Sequence, residues 1–207
     1  MSLSEAVPPD YAGITIRLRP FEEVVRKRPE MLFAADRGDM ALAGQVARAV
    51  IADALDWPNS EPITAQVWVK ADLRFTIHDD GPVLSLGSGP GQVPDLLLDP
   101  RRWSLRAAAA LSSRVSIEIH TSDRIWRQTL SGVTPLTPPR EAGPAADQDI
   151  PKTGRGTRIT FQLDPNYFPA GTALPGRDTL TADHQARPLA TGANILTVTD
   201  HRHPPPT

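Results

Sequence analysis

The clearest hydrophobic pattern in the chain is an apolar stripe along residues 42–55. Adjacent pairs of apolar residues recur there every four positions, at Val46, Ala47, Val50, Ile51, Ala54 and Leu55. Such a repeat puts one face of a helix against a core, so the pattern predicts a helix over residues 42–55. A shorter helix is predicted over residues 21–28, because Glu22 and Glu23 lie in its first turn and basic residues lie in its last, as the helix dipole favours.

Strand-like segments alternate with these helices. Runs rich in β-branched and aromatic residues predict two hairpins, over residues 63–78 and 115–130, and a further strand over residues 157–163. Residues 14–18 fit a short strand, and the alanine-rich residues 105–113 fit a helix. Helices interleaved with antiparallel hairpins indicate an α+β fold, a two-layer sandwich of helices on a mostly antiparallel mixed sheet.

Proline placement indicates how the chain is organised. The 207 residues include 22 prolines, which are sparse between Pro29 and Pro82 and dense in residues 134–151 and 168–207. Segments rich in proline, glycine and polar residues bury too little apolar surface to fold. We therefore expect a flexible N-terminus over residues 1–12, a folded domain over residues 13–169, and a largely disordered tail over residues 170–207, in which residues 195–198 could form one edge strand.

Composition excludes several function classes. The chain has no cysteine, which removes disulfides, thiolate metal ligands and cysteine nucleophiles. Its formal charge of −2 offers no overall field for a polyanion, so direct nucleic-acid binding is not expected. The N-terminal residues lack the order of a secretory signal, and no apolar run is long enough to span a bilayer. We expect a cytoplasmic protein with no membrane partner.

Five short motifs occur in order along the body of the chain. They are RKRPEM at residues 26–31, DDG at 79–81, ALS at 110–112, WRQ at 126–128 and TGRGT at 153–157. In this order, with the long helix between the first two, they resemble the ATPase domain of gyrase B, the ATP-hydrolysing component of DNA gyrase, over residues 14–168. That domain belongs to the GHKL group, so the resemblance implies the Bergerat fold of the group and binding of an adenine nucleotide.

The resemblance also implies a set of pocket residues. Asp79 matches the strand-end carboxylate that accepts a hydrogen bond from the adenine amino group, and Gly81 follows it in the turn. Thr157 matches the threonine that supports this carboxylate and a bridging water. Arg127 matches the arginine at the pocket mouth that aminocoumarin inhibitors of gyrase contact. The apolar wall of the pocket would consist of Val50, Ala54, Ile77 and Ile159.

Each of these assignments has an ordinary structural alternative. Asp79 and Gly81 could belong to a plain turn at the end of a strand. Thr157 could be present for its β-propensity, and Arg127 could lie on a solvated hairpin face. The four apolar residues could equally belong to the core.

The chain also departs from the family pattern. Ala49 stands where the family has the glutamate that activates water, and Asp53 stands where it has an asparagine that holds Mg²⁺. Alanine cannot accept a proton, and general-base catalysis typically contributes a factor of about 10² to 10⁴ in rate. Asp53 could still bind Mg²⁺ through oxygen. The segment before the 105–113 helix is short and lacks the glycines of a phosphate loop, although Arg101 and Arg102 could offer charge to phosphate.

The sequence leaves four hypotheses about function open. The first is a degenerate gyrase-B-like domain that binds ATP or ADP, with or without Mg²⁺ at Asp53, and does not hydrolyse it. The second is a protein-interaction module on the same fold with a vestigial pocket. The third is a binder of an aminocoumarin-like small molecule, and the fourth is a slow ATPase that uses Asp53 or another acid. The family dimerises through an N-terminal arm, and residues 1–12 are short for such an arm, which favours a monomer over a homodimer.

Overall fold

A computed structural model of the protein describes residues 19–56, 62–81, 102–121, 124–142, 155–185 and 194–202. The helices in these ranges are α1 (Phe21–Lys27), α2 (Glu30–Phe33), α3 (Leu42–Leu55), α4 (Trp103–Ala110) and α5 (Arg177–Gln185). The strands are β1 (Thr64–Ala71), β2 (Arg74–Asp79), β3 (Ser112–His120), β4 (Ile125–Ser131), β5 (Thr134–Pro135), β6 (Arg140–Ala142), β7 (Gly156–Leu163) and β8 (Ile195–Asp200). Within these residues, no helix is long and apolar enough to cross a membrane.

The strands form one mixed sheet in the order β5-β4-β3-β7-β2-β1-β8, and β6 also pairs with β4. Every pairing is antiparallel except that of β1 with β8. The sheet and its helices confirm the predicted α+β class. The helix α3 and both hairpins lie where the apolar patterns placed them. The helix α4 ends earlier than predicted, because Ser112 already pairs with Leu163 of β7 as the first residue of β3.

The strand registers divide the sheet into two faces. Directly opposed residues of neighbouring strands share a face, and successive residues along a strand alternate between faces. One face is apolar and belongs to the same core as the helices α3 and α4. Its cross-strand rows include Val67, Ile77, Ile159 and Ile117. The other face is polar, and we call it the open face. Its central row is Trp68, Thr76, Thr160 and Ser116.

The helix α4 is held close to the core by its composition. The four alanines at residues 107–110 are completely buried, and such small side chains let a helix approach its neighbours closely. The helix α1 is tied to the end of α4, because Arg26 donates one hydrogen bond to the Ala110 carbonyl oxygen at 3.0 Å and another to Asp164 at 2.6 Å. These contacts fix α4, and with it Arg102 at its N-terminal end.

The C-terminal part of the chain differs from its prediction. Residues 170–185 and 194–202 contain α5 and β8 and pack on the body, so the prediction of a disordered tail is wrong for these residues. Leu174, Leu180 and Val198 bury their side chains in the common core, and this burial outweighs the local proline and glycine content. The predicted edge strand is confirmed as β8. The predicted N-terminal segment 1–12 and the strand 14–18 lie outside the described residues.

Candidate functional site

Asp79 and Thr157 lie side by side, as the motif comparison expected. Asp79 is the last residue of β2, Thr157 is the second residue of β7, and the two are directly opposed in the register. Both are buried. The backbone N–H of Gly81 donates a hydrogen bond to the Asp79 carboxylate. The Thr157 hydroxyl is buried and has no hydrogen-bond partner among the described residues.

The Asp79 carboxylate is already engaged by the chain itself. Arg102 Nη2 lies 2.7 Å from Asp79 Oδ2, and the two side chains are 3% and 4% exposed. Burial raises the pKa of the Asp79 carboxyl, while the Arg102 guanidinium acts in the opposite direction. The carboxylate that would accept a hydrogen bond from the adenine amino group therefore already accepts one from the Arg102 guanidinium. The described arrangement does not fit an adenine at Asp79.

Asp53 is engaged by the same segment, residues 102–104. Its Oδ2 atom accepts a hydrogen bond from the backbone N–H of Ser104 at 2.8 Å, which satisfies a donor at the start of α4. Burial raises the pKa of the Asp53 carboxyl, and the hydrogen bonds of Ser104 oppose that change. Among the described residues, no group of three or more His, Asp or Glu side chains could hold a metal ion.

The predicted apolar wall is part of the main core. Its four residues, on α3 and on the two central strands, are all buried in one cluster: Val50, Ala54, Ile77 and Ile159. Ile77 and Ile159 are directly opposed. Ala49 is partly buried against the same cluster, and a methyl group there offers no acceptor for a proton. The structure thus brings the wall residues together beneath Asp79, in the packing that an ordinary core also requires.

Arg127 lies on a different face of the sheet from Asp79. The register aligns Arg127 with Glu118, Arg158 and His78, whereas Asp79 belongs to the adjacent row. Arg127 Nε donates a hydrogen bond to Glu118 Oε1 at 2.7 Å. Since neighbouring rows point to opposite faces, Arg127 and Asp79 do not meet at one pocket. This placement separates Arg127, the residue that the inhibitors of gyrase contact in the family, from Asp79.

The structure places beside Asp79 two residues to which the sequence motifs assign no role there, Arg102 and Gly156. The sequence suggests Arg102 only as a possible phosphate contact, and nothing local in it indicates that this side chain pairs with Asp79 at the end of β2. Gly156, in the TGRGT motif, lies against the backbone of Asp79. Its φ of +141° is one that side-chain-bearing residues rarely adopt, and a Cβ there would overlap the Asp79 carbonyl oxygen. The glycine of the motif therefore permits the close approach of β7 to Asp79.

Glu118 is the anionic centre of the open face. His120, at 3.7 Å, and Arg127, at 2.7 Å, lower the pKa of its carboxyl to about 2, although partial burial acts in the other direction. Arg158 lies 3.9 Å from the second carboxylate oxygen. Glu118 is thus ionised throughout the neutral range and joins three neighbouring strands, β3, β4 and β7.

The depressed pKa of Glu118 predicts a specific loss of stability in acid. The unfolded carboxyl titrates near pH 4.5, so the ionised folded form stabilises the protein above that pH, and the contribution is lost as the pH falls from about 5 towards 2. We expect Glu118→Gln to lower the free energy of unfolding at pH 7 by about 2 kcal/mol, allowing for partial exposure of the pairs. Urea titrations at several pH values should show the difference shrinking steadily below about pH 5, to roughly a quarter of its neutral value by about pH 2.5. A difference that does not depend on pH would contradict the assignment.

A cavity of about 570 Å³ lies on the open face. It is lined by Trp68, Lys70, Thr76, Ser116, Glu118, Arg158, Thr160 and His201. The size is within the range of small-ligand and peptide sites. The cavity is on the side of the sheet away from Asp79, so the sequence-based prediction of a pocket at Asp79 did not find it.

Comparison with known proteins assigns the chain to no family and gives no function for these residues. The chain matches no protein-family model, and a search of curated proteins finds no match.

Proposed function

We propose that this chain is a gyrase-B-like domain that does not hydrolyse ATP and acts as a protein-interaction module. The single observation that carries the proposal is the buried ion pair of Arg102 with Asp79. Asp79, which matches the adenine acceptor of the family, is thereby already bound by a side chain of the same protein. The motifs of the gyrase resemblance would then preserve a scaffold whose nucleotide pocket has become part of the core.

The energetics of the pair support a closed pocket. An adenine that took the place of Arg102 would have to separate two buried charges, and separating such a pair costs roughly 3 to 5 kcal/mol. Each 1.4 kcal/mol is a factor of ten in affinity, so a cost of about 3 kcal/mol weakens binding by roughly two orders of magnitude. A micromolar nucleotide site would become a site in the range of about 0.1 mM or weaker.

The chemistry at the other end of the pocket also argues against hydrolysis. Ala49 has no group that could accept a proton from water. Asp53, the remaining acid on this face of α3, accepts the Ser104 N–H and lies next to the start of α4.

Weak binding of an adenine nucleotide is the second candidate. The observation that favours it is the direct opposition of Asp79 and Thr157, together with the Thr157 hydroxyl that lacks a hydrogen-bond partner among the described residues. Occupancy would require Arg102 to leave Asp79. This candidate therefore predicts that a nucleotide destabilises the ion pair, whereas the interaction module predicts that no nucleotide acts on it.

Calorimetry and thermal unfolding with nucleotides test the proposal. We expect ATP and ADP at about 1 mM, each with and without Mg²⁺, to leave the melting temperature of the full chain unchanged within about 1 °C, because the interaction module binds no nucleotide and only a ligand that binds the folded state stabilises it. The weak-binding candidate, with a Kd of about 0.1 mM, predicts instead a stabilisation of about 1.4 kcal/mol at this concentration. A partner protein captured by the wild-type chain should still be captured by the variant Asp79→Leu/Arg102→Met, in which apolar side chains replace the pair. ATP turnover above background that is abolished by Asp79→Ala would overturn the proposal.

A further inference from the structure

The open face carries a regular arrangement of charges and hydroxyl groups. Its central row consists of Trp68, Thr76, Thr160, Ser116 and Thr129. The row on one side contains the cations of β7, β4 and β6 with the single carboxylate: Arg158, Glu118, Arg127 and Arg140. The row on the other side contains Arg74, Gln162 and Arg114, with Lys70 next to it at the irregularity of β1. Rows of one face are two residues apart, which corresponds to about 7 Å.

Cations greatly outnumber acids on this face. Six lysine and arginine side chains lie on these rows and one carboxylate, that of Glu118, lies among them. The chain as a whole has a net charge of −2, so positive charge is concentrated here against the overall sign. Four of the cations are exposed and have no acidic partner among the described residues: Lys70, Arg74, Arg114 and Arg140.

The cavity lies between the two cationic rows. Thr76 and Thr160 share a hydrogen bond of 2.8 Å between their hydroxyl oxygens at its floor. Ser116, Arg158 and Lys70 also line it. Hydroxyl groups and guanidinium or ammonium groups together form charge-assisted hydrogen bonds with carboxylates. Glu118 also lines the cavity, and its carboxylate is already paired with Arg127 and Arg158. The hydroxyl groups of the floor and the ammonium group of Lys70 at the rim therefore suit added carboxylate groups.

We propose that the open face docks an extended, acidic segment of a protein partner. The cations reach from β1 to β6 across six neighbouring strands, which is a distance of about 24 Å at the usual strand spacing. An extended peptide of about seven residues spans this distance at about 3.4 Å per residue. The cavity alone is smaller than the charged surface, so the charge pattern fits a chain that crosses the strands and places one or two acidic side chains in the cavity. This proposal rests on the proposed function as an interaction module.

A polypeptide fits the face better than a nucleic acid does. Single-stranded nucleic acids are bound by exposed aromatic platforms on which bases stack. On the described strands, Trp68 is the one Trp, Tyr or Phe of the open face, and it is stacked at 6.4 Å on His78 with the Arg158 guanidinium 5.8 Å from its ring. The indole therefore already packs against two side chains of the protein itself.

Titration of the full chain with a fluorescein-labelled octaglutamate peptide tests the proposal. We expect saturable binding that weakens with salt, and a loss of at least about tenfold in affinity for Arg74→Glu/Arg114→Glu, because the repulsion replaces two attractive contacts. Arg177→Glu is the matched control: it reverses an exposed arginine at the start of α5 and should change the affinity less than about twofold. Arg74→Gln/Arg114→Gln, which only removes charge, should give an intermediate loss and guards against misfolding of the reversal variant.

Three other outcomes would contradict either the docking site or the proposed function. Equal binding by wild type and Arg74→Glu/Arg114→Glu would place the peptide elsewhere, and preference for an oligothymidylate over octaglutamate would make the face a nucleic-acid surface. Either result overturns the acidic-peptide site and leaves the interaction module standing if partner capture persists in Asp79→Leu/Arg102→Met. Nucleotide-dependent stabilisation with unimpaired peptide binding would instead overturn the proposed function and leave the docking site in place.

Discussion

Replacing Arg102 by methionine is expected to lower the free energy of unfolding by about 3 to 5 kcal/mol, the usual cost of leaving one partner of a buried ion pair alone. Arg102 and Asp79 are 3% and 4% exposed, so water cannot solvate the carboxylate that remains. Burial already raises the pKa of Asp79, and without Arg102 the pKa should rise further. The folded variant should then hold a proton on Asp79 at a pH where the unfolded chain has released it.

The stability difference between wild type and Arg102→Met should depend on pH in a definite direction. A carboxyl with a raised folded pKa stabilises the protein below the unfolded pKa and loses that contribution as the pH rises. The gap between wild type and Arg102→Met should therefore narrow when the pH is lowered from about 7 to about 4. Urea titrations of both proteins at the two pH values measure this difference in the free energy of unfolding. Asp79→Leu/Arg102→Met is the control and should recover most of the stability, because apolar replacements of a buried pair are often neutral. Wild-type stability of Arg102→Met would contradict the buried pair.

Substitution of Gly156 by alanine should be at least as damaging. The φ of +141° disfavours any side chain, and the new methyl group would overlap the Asp79 carbonyl oxygen. Strain of this kind costs about 1 to 3 kcal/mol, and the clash adds to it because β2 and β7 must separate. We expect a loss of about 4 kcal/mol or failure to fold.

A series of glycines provides the controls for Gly156→Ala. Gly132 has a φ of +57°, and its nearest neighbour is the flexible Glu22 side chain, so Gly132→Ala should cost about 1 kcal/mol. Gly38 faces open space, and Gly38→Ala should be nearly neutral or slightly stabilising. Chemical denaturation of the three variants gives the order directly. An equal loss for Gly156→Ala and Gly132→Ala would show that contact with the Asp79 backbone contributes nothing.

Local patterns predicted most of the elements but not their long-range partners. The apolar stripe of α3 and the runs of β-branched and aromatic residues in β1 and β2 are properties of contiguous residues, which is why these elements were found where predicted. The strand β8 depends on pairing with β1, in which Thr64 lies opposite Ile195. The sequence suggested this strand but not its partner, and the burial of Val198 is visible only in three dimensions.

The same distinction holds for the candidate site. Asp79 at the end of a strand and Thr157 at the start of another could be aligned from motifs, and the register pairs them. The pairing of Arg102 with Asp79 depends on where α4 packs, which no short motif encodes. The resemblance assigned Arg127 to the pocket mouth, but the parity of β4 directs it to Glu118. A shift of one residue in the register of a strand moves its side chains to the other face of the sheet. Sequence spacing between separate strands does not determine that register.

The parallel pairing of β1 with β8 has a consequence for the protein during its synthesis. Ile63 and Asn194, joined by a hydrogen bond of 2.8 Å, are 131 positions apart. On a ribosome that adds about 5 to 20 residues per second, β1 waits roughly 7 to 26 s for its neighbour. The nascent chain meanwhile exposes the N–H and C=O groups of β1 as a free edge, which other unfinished chains can pair with. Premature termination before residue 195 would make that exposure permanent.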